Sequence, residues 1–423
     1  MNPDFAAYAR KLADDARAAA RVLARVTDAV KSDALRRAAS ALRQESPRIL
    51  EANARDVSAA EAAALARPLV ERLKLDEKRV ESIARGVEQV AVQVDPVGQT
   101  IEASVRPNGL RVERRRVPIG VVLFFYESRP NVTADAIALC LKSGNAVILR
   151  GGKEAVHSNA ALAAVFAQAL AAAGLPAASA QLVETTDRGL VPVLLKQRDA
   201  IDLVIPRGGK SLIEAVVAES TIPVLKHFDG NCHLYIDEHV AGIEQQVIDV
   251  CVNAKTSYPG GAVCNAVEHL LFHRRSADLL LEKVCAALAA RGVEVRADDL
   301  ARRLFPQALP ATDQDWATEY LAPVVGVKVV ESVDEAVDHI NRYGSRHTDG
   351  ICSTDTRAIE RFVAGVDSAS IMVNASTRFA DGGEYGLGAE LGISTDKLHA
   401  RGPMGATDLT TYKWIVTGSG HCR

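Results

Sequence analysis

From residue 120 onward the chain alternates short apolar runs with amphipathic stretches, and this alternation constrains its fold more than any other feature. Gly120–Tyr126, Ala146–Leu149, Gln181–Glu184 and Ile201–Ile205 read as strands,. Thr133–Lys142, His157–Ala173, Arg188–Gln197 and Lys210–Glu219 read as the helices that follow them, and Pro223–Lys226 and His233–Ile236 as two further strands. Strands separated by helices build a parallel sheet, because each crossover returns right-handed to the same sheet. The expected fold class is therefore α/β, a doubly wound sheet that takes its ligands beyond the carboxyl ends of its strands. A second α/β stretch runs from about 240 to 380, with strands near Glu268–Phe272, Val324–Val330, Ile351–Ser353 and Ser370–Val373.

Residues 3–93 read as helices throughout, with Phe5, Tyr8, Leu12, Val22 and Val26, then Ile49, Leu69, Leu73 and Ile83, at roughly helical spacing,. Asp95-Pro96-Val97-Gly98 ends that pattern,. Thr100 to Val117 reads as a hairpin around Pro107-Asn108-Gly109, since Asn-Gly between two strands favours a tight turn,. Its Glu/Arg-rich arms suit a projecting ribbon better than a core. After Gly382 the tail is polar and glycine-rich, and it ends in the apolar stretch Tyr412–Val416.

Charge and cysteine usage narrow the class. The net charge is -3 and the basic residues are dispersed, so the basic footprint of a nucleic-acid binder is missing,. The seven cysteines are odd in number, widely spaced and without a CxxC pair, which fits free thiols rather than a secreted disulfide framework,. No run approaches the roughly 18 apolar residues of a membrane span. The start of the chain carries Asp4, Asp14 and Asp15 and lacks the apolar core of a signal peptide,. A soluble, cytoplasmic protein is expected.

Two glycine-bearing strand-to-helix turns suit phosphate groups. In Ile205-Pro206-Arg207-Gly208-Gly209-Lys210-Ser211 a Walker A loop fails, because Val204 stands where that loop needs glycine,. Gly208 and Gly209 still let the backbone approach a phosphate at a helix N-terminus; an ordinary turn is the alternative. In Leu149-Arg150-Gly151-Gly152-Lys153-Glu154, Arg150 and Lys153 suit the 2′-phosphate that distinguishes NADP from NAD, with a solvated loop as the alternative,. The glycines Gly386, Gly388 and Gly392 have the wrong spacing for a dinucleotide fingerprint, and no βαβ unit follows them,. His269 with His273, and His227 with His233, lack a ligand-spaced cluster, so no metal is assigned,.

Ser257-Tyr258-Pro259-Gly260-Gly261-Ala262-Val263-Cys264-Asn265 places a cysteine after small residues, between a polar loop and an apolar run. A turn there exposes a thiol, and its backbone N–H groups both favour the thiolate and receive an oxyanion. A free thiol of pKa about 8.5 is only a few per cent ionised at neutral pH, so such help matters. A buried structural cysteine is the competing reading, and spacing alone leaves the other six thiols in play.

Five segments carry a resemblance: VPIGVVLFFYESRPNVTADAIALCLKSGNAVILRGGKEA, DLVIPRGGKSLIEAV, PVLKHFDGNCHLYID, NAKTSYPGGAVCNAVEHLL and EYGLGAELGISTDKLHARGPMGATDLTTYKWI. Spread in this order from about 118 to 415, they resemble the γ-glutamyl phosphate reductase (glutamate 5-semialdehyde dehydrogenase) family, a proline-biosynthesis branch of the aldehyde dehydrogenase superfamily. The resemblance implies an aldehyde dehydrogenase-like α/β fold. Its Rossmann-type NADP-binding domain would comprise 1–99 and 118–235, its catalytic domain 236–385, and a small β oligomerisation arm 100–117 with 386–423. It implies NADPH-dependent reduction of L-glutamyl 5-phosphate to L-glutamate 5-semialdehyde, with release of phosphate through a Cys264 thioester.

By the same resemblance the Cys264 amide and Asn131 bind the oxyanion. Arg150 and Lys153 meet the adenosine ribose, Glu319 the nicotinamide ribose, and Gly208, Gly209, Lys210 and Ser211 the pyrophosphate. Arg378 and Lys255 are candidate partners for the negative charge of the substrate. A homo-oligomer, dimer or tetramer, is implied, with transient contact to glutamate 5-kinase as a further partner. One departure is informative. Hydrolytic aldehyde dehydrogenases carry Glu-Leu-Gly-Gly where this chain has His227-Phe228-Asp229-Gly230, so the carboxylate that activates water is missing,. His227 is the remaining candidate base. The rival readings are a hydrolytic or CoA-acylating aldehyde dehydrogenase, and a non-catalytic oligomeric scaffold.

Overall fold

Apolar positions repeating every three to four residues make the N-terminal segment helical, and a computed structural model, which describes residues 3–127, 129–226 and 229–423, resolves it into five helices,. These are α1 (Pro3–Leu23), α2 (Asp28–Gln44), α3 (Ser46–Ala62), α4 (Arg67–Leu73) and α5 (Glu77–Val92). The α2 face buries Leu35, Ala38 and Leu42, and the α5 face buries Val80, Ile83 and Val87. Asp76 starts α5 by accepting a hydrogen bond from the Arg79 amide, which satisfies one of the orphan donors of the first turn,.

Two units emerge. The first comprises Met1–Lys226, Gly386–Gly392 and Leu398–Arg423, and the second His227–Tyr385 with Ile393–Lys397. In the first, β1 (Thr100–Val105) and β2 (Arg111–Pro118) form the expected antiparallel ribbon around Gly109. The sheet proper consists of β3 (Val121–Tyr126), β4 (Ala146–Arg150), β5 (Ala180–Leu182) and β6 (Leu203–Arg207). Its order is β5-β4-β3-β6, all parallel. The crossovers are α6 (Asn131–Lys142), α7 (Val156–Ala172) and the single turn α8 (Val191–Leu194), and α9 (Lys210–Glu219) follows β6. Every residue of β3 is buried, as a central strand covered on both faces requires,. The strand order reverses between β3 and β6, which makes their carboxyl ends the switch point where such sheets bind ligands,.

Lys142, at the end of α6, is fully buried. Its ammonium reaches Asp28 Oδ1 at 2.5 Å, Ser32 Oγ at 3.0 Å and the Ala91 carbonyl at 3.1 Å, so the helical layer is anchored on the sheet layer by charge-assisted hydrogen bonds,. The helical stretch Lys153–Ala172 is long and apolar enough to cross a membrane by length and composition, which the sequence reading did not anticipate. Half of it is buried in the first unit, where Leu162, Val165, Phe166 and Leu170 belong to the core.

In the second unit, β7 (Cys232–Ile236), β8 (Val267–His273), β9 (Glu294–Ala297), β10 (Leu309–Pro310), β11 (Val324–Val330), β12 (Thr348–Cys352) and β13 (Ser370–Val373) form one parallel sheet, ordered β10-β9-β11-β8-β7-β12-β13. Helix α10 (Glu244–Thr256) leads toward β8.

Two expectations are corrected. Pro223–Lys226 is no strand beyond an isolated Val204–Val224 bridge. The strand expected to close the first domain, His233–Ile236, is β7 and pairs with β8 and β12, so the division falls at 226 rather than 235. An apolar run shows that a strand is buried, but not which sheet it joins. The last strand, β14 (Thr410–Thr417), pairs antiparallel with β2 and returns the tail to the first unit. Asn145 Nδ2 donates to the Leu409 carbonyl at 2.8 Å, so the ribbon is seated on the first unit rather than forming a unit of its own.

Candidate active site

Cys264 sits in a turn immediately before β8, after the short helical turn Pro259–Gly261. Gly260 and Gly261 both have left-handed backbone (φ +69° and +63°), a conformation glycine adopts without the Cβ penalty,. The turn leaves Cys264 half-buried, whereas Cys140, Cys232, Cys251, Cys285 and Cys352 are buried. Burial raises the pKa of each of these five thiols, Cys285 and Cys352 to about 12, so none of them forms a thiolate at neutral pH,. Cys422 is exposed, next to the chain's last residue. The accessible thiols therefore reduce to Cys264 in the fold and Cys422 at its end.

The segments entering β7, β8 and β11 surround Cys264, and these three strands are neighbours in the sheet. Gly230, just before β7, packs so closely on Cys264 that a Cβ there would lie 1.8 Å from the Cys264 carbonyl oxygen. The Gly230 amide donates to Glu319 Oε1 at 2.8 Å, which brings the predicted ribose partner beside the Cys264 turn. Cys232 Sγ donates to the Cys264 carbonyl at 3.2 Å. The chemistry here gathers at the amino ends of the strands, the opposite edge from the one the doubly wound pattern suggested.

Arg378 lies in the turn after β13. Its Nε donates to Ser257 Oγ at 3.3 Å and its guanidinium stands over the Tyr258 ring, 5.6 Å from the centroid. Asn265 donates to the Ala380 carbonyl at 2.9 Å, tying that turn to the residue after Cys264. Arg378 is thus held, half-exposed, against the segment that leads to Cys264.

Lys255 corrects an expectation. It is fully buried, and its ammonium is 2.7 Å from Glu268 Oε2, itself fully buried. A cation already neutralised inside the fold is not offered to a substrate anion. His227 falls outside the described residues. His269 and His273 both lie on β8; His269 packs among His233, Trp316 and Tyr320, and burial holds its imidazole neutral,. Among the described residues no group of His, Cys, Asp and Glu is arranged to hold a metal ion.

In the first unit the remaining candidates meet at the carboxyl ends of β4, β3 and β6. Arg150 donates to the Gly151 carbonyl at 3.1 Å and the Thr186 carbonyl at 2.9 Å, while Lys153 is exposed on the same turn. Gly208 and Gly209 precede α9, with Lys210 and Ser211 exposed in its first turn. Asn131 opens α6 and donates to Asp135 Oδ2 at 3.0 Å; burial raises the Asp135 carboxyl to about 6. Glu127 Oε2 accepts from the Gly209 amide at 2.9 Å, so a carboxylate already occupies the N-terminus of α9. That donor set is built for an oxyanion.

The aldehyde dehydrogenase family model matches residues 5–301 and 307–396. A γ-glutamyl phosphate reductase of Rhodopirellula baltica is 51% identical over 423 residues, covering 100% of this chain and 96% of that protein. The chain belongs to the γ-glutamyl phosphate reductases of the aldehyde dehydrogenase family. A γ-glutamyl phosphate reductase of Caldanaerobacter subterraneus is 50% identical over 411 residues, 97% of this chain and 98% of that protein. The crystal structure of γ-glutamyl phosphate reductase from Thermotoga maritima superposes with a TM-score of 0.94 at 43% identity, over 98% of this chain and 99% of that one. An acetylating aldehyde dehydrogenase from Geobacillus thermoglucosidasius, at 19% identity and a TM-score of 0.70, covers 99% of this chain and 98% of that one, and shares the fold. The aldehyde dehydrogenase-like α/β architecture is thereby established.

Within this γ-glutamyl phosphate reductase chain, four neighbours of the site escaped the sequence reading: Gly230, Glu268, Glu127 and Asp135. Gly230 and Glu268 each lie within a few residues of a strand start, and Glu127 directly follows the all-apolar β3. A glycine or carboxylate against the end of a buried strand was the available signal.

Proposed function

We propose that the chain reduces L-glutamyl 5-phosphate to L-glutamate 5-semialdehyde with NADPH in the cytoplasm, releasing phosphate, as the second step of proline biosynthesis. The observation that carries this reading is the half-buried Cys264 on its glycine turn, in a chain 51% identical end to end to a γ-glutamyl phosphate reductase. The Cys264 thiolate attacks the acyl carbon, the bond to the phosphate oxygen breaks, and phosphate leaves with the electron pair. NADPH, when bound, supplies hydride to the thioester carbon. The tetrahedral oxyanion then re-forms its carbonyl, the C–S bond breaks, and the aldehyde departs as Cys264 recovers its thiolate. The Cys264 amide and Asn131 stabilise that oxyanion, and Arg378 takes negative charge of the substrate.

The residues at the carboxyl ends of β4 and β6 fit the cofactor. The Gly209 amide already binds a carboxylate oxygen, the chemistry a pyrophosphate needs, and Lys210 and Ser211 flank it. Glu319 holds the nicotinamide ribose, and Arg150 and Lys153 select the 2′-phosphate. Losing one charged hydrogen bond of this kind costs about 1.5–3 kcal/mol. Arg150→Ala and Lys153→Ala should therefore each raise KM for NADPH about tenfold or more and leave KM for NADH nearly unchanged. Equal losses with both cofactors would remove this assignment.

Hydrolysis is the competing fate of the thioester, and phosphate dependence decides between them. Oxidation of glutamate semialdehyde by NADP should require inorganic phosphate, with turnover falling to background in phosphate-free buffer. Undiminished turnover there would mean that water takes the acyl group. The same reading makes the ribbon the oligomerisation arm of a dimer or tetramer that receives its labile substrate from glutamate 5-kinase. Exposed Val105, Tyr412, Trp414 and Val416 on β1 and β14 support it, being apolar side chains that a partner surface would cover,.

A further inference from the structure

The buried pair Lys255–Glu268 is a costly feature that the proposed chemistry leaves unused. Two charges removed from water are stable only when well paired, and replacing such a pair by apolar residues is often neutral or stabilising. Its place in the second unit gives it a use. Lys255 ends α10, and its Cε lies 3.2 Å from where a Cβ on Gly261 would stand, so its stem supports the glycine turn that carries Cys264. Glu268 is in β8, four residues after Cys264.

Burial raises the Glu268 carboxyl to about 7, against the opposing effect of Lys255,; the segment after Glu319 meets the same glycine turn, with the Ala322 carbonyl oxygen 3.2 Å from the Gly261 Cβ position. Among the described residues Glu268 Oε1 has no hydrogen-bond partner. Leu321 has φ +48°, a left-handed conformation that costs a branched residue energy and persists only where its surroundings enforce it,. It follows Glu319 by two positions, and Glu319 accepts from Gly230, which packs on the Cys264 carbonyl. The contacts and chain close a ring through Cys264, Gly230, Glu319, Ala322 and Gly261, and the Lys255–Glu268 pair stands behind Gly261. Besides Lys255, the titratable groups acting on Glu268 or feeling its charge are Glu319, Cys232 and Tyr320.

We propose that Glu268 is a positioning residue for the nucleophile: by pairing with Lys255 it fixes the glycine turn, which the Ala322 carbonyl also meets, and so holds Cys264 and Glu319 in register. The inference rests on the reading of Cys264 as the nucleophile, but not on the identity of the acyl substrate.

Iodoacetamide alkylation of Cys264 in the full-length protein, followed by mass spectrometry of the labelled peptide, tests it. A loosened turn loses N–H stabilisation of the thiolate. Glu268→Gln should therefore alkylate about tenfold more slowly than wild type near neutral pH, with the gap closing at about pH 10, where thiols are ionised whatever their surroundings. Glu268→Asp, which keeps the charge, should recover part of the rate. The double variant Lys255→Met/Glu268→Leu removes both charges together and provides a folded form if Glu268→Gln alone does not fold. It should stay slow, because apolar side chains lack the ion pair that fixes the Lys255 stem against the glycine turn.

A wild-type rate in Glu268→Gln overturns the proposal, and so does return of the wild-type rate in the double variant, which would mean that the pair only balances its own charges. Alkylation reads the thiol without substrate, so a failed phosphate requirement and a failed positioning role give separate results.

Discussion

Replacing Cys264 by serine is expected to lower turnover by about 10⁴-fold or more while leaving the dissociation constant for NADPH within about twofold of wild type. Serine keeps the shape and loses the chemistry. Its hydroxyl is not ionised at neutral pH, and the oxygen ester it would form accepts hydride less readily than a thioester. No other thiol replaces it. Cys232 touches the Cys264 carbonyl, yet it is fully buried and its pKa is raised well above the ordinary range, chiefly by burial. Cys422 is exposed next to the chain's last residue. Cofactor affinity is expected to survive because the substitution keeps the side chain's size and changes none of the proposed cofactor residues Arg150, Lys153, Gly208–Ser211 and Glu319. Steady-state rates and fluorescence titration with NADPH measure both quantities. Substantial residual turnover would pass the nucleophile's role to another cysteine and remove the thioester from its proposed place.

Much of the architecture was legible where burial leaves a strong mark. The all-apolar run Val121–Tyr126 gave the central strand, and Val324–Val330 and Ser370–Val373 coincide with the strands found. The polar hairpin around Asn108-Gly109 was legible from turn chemistry alone,. Glu294–Ala297 was not, because Glu-Val-Arg-Ala alternates its exposure and spans only four residues, too few for a period to register,. Sheet membership of Cys232–Ile236 was hidden for another reason: its partners on β8 and β12 lie far along the chain.

The site divides in the same way. The turn that carries Cys264 was legible because Gly260 and Gly261 announce it, whereas the choice of that thiol among seven came from the resemblance. Lys255 was misread because what neutralises it, Glu268, stands thirteen positions away on a different element. Pairing decides whether a lysine serves a ligand or the fold, and pairing is a property of three dimensions.

Gly230→Ala should also damage catalysis, though it adds only a single methyl group. That Cβ would lie 1.8 Å from the Cys264 carbonyl oxygen, 2.5 Å from its carbon and 2.6 Å from Cα. All three are backbone atoms, so no side chain can rotate away and either the nucleophile turn or the strand entry at β7 must shift. A displacement of about 1 Å at reacting atoms can cost on the order of 10²-fold in rate. Overpacking of this kind adds about 1–3 kcal/mol of destabilisation. The same shift pulls the Gly230 amide from Glu319, so the two changes reinforce each other. We expect kcat to fall at least about 100-fold, Tm to drop by several degrees, and NADPH affinity to weaken as Glu319 loses its partner. Gly86→Ala, in α5 where an added Cβ meets nothing within 4 Å, is the matched control and should leave kcat unchanged. Wild-type kcat in Gly230→Ala would show that the close approach of Gly230 to Cys264 does not govern the placement of the nucleophile.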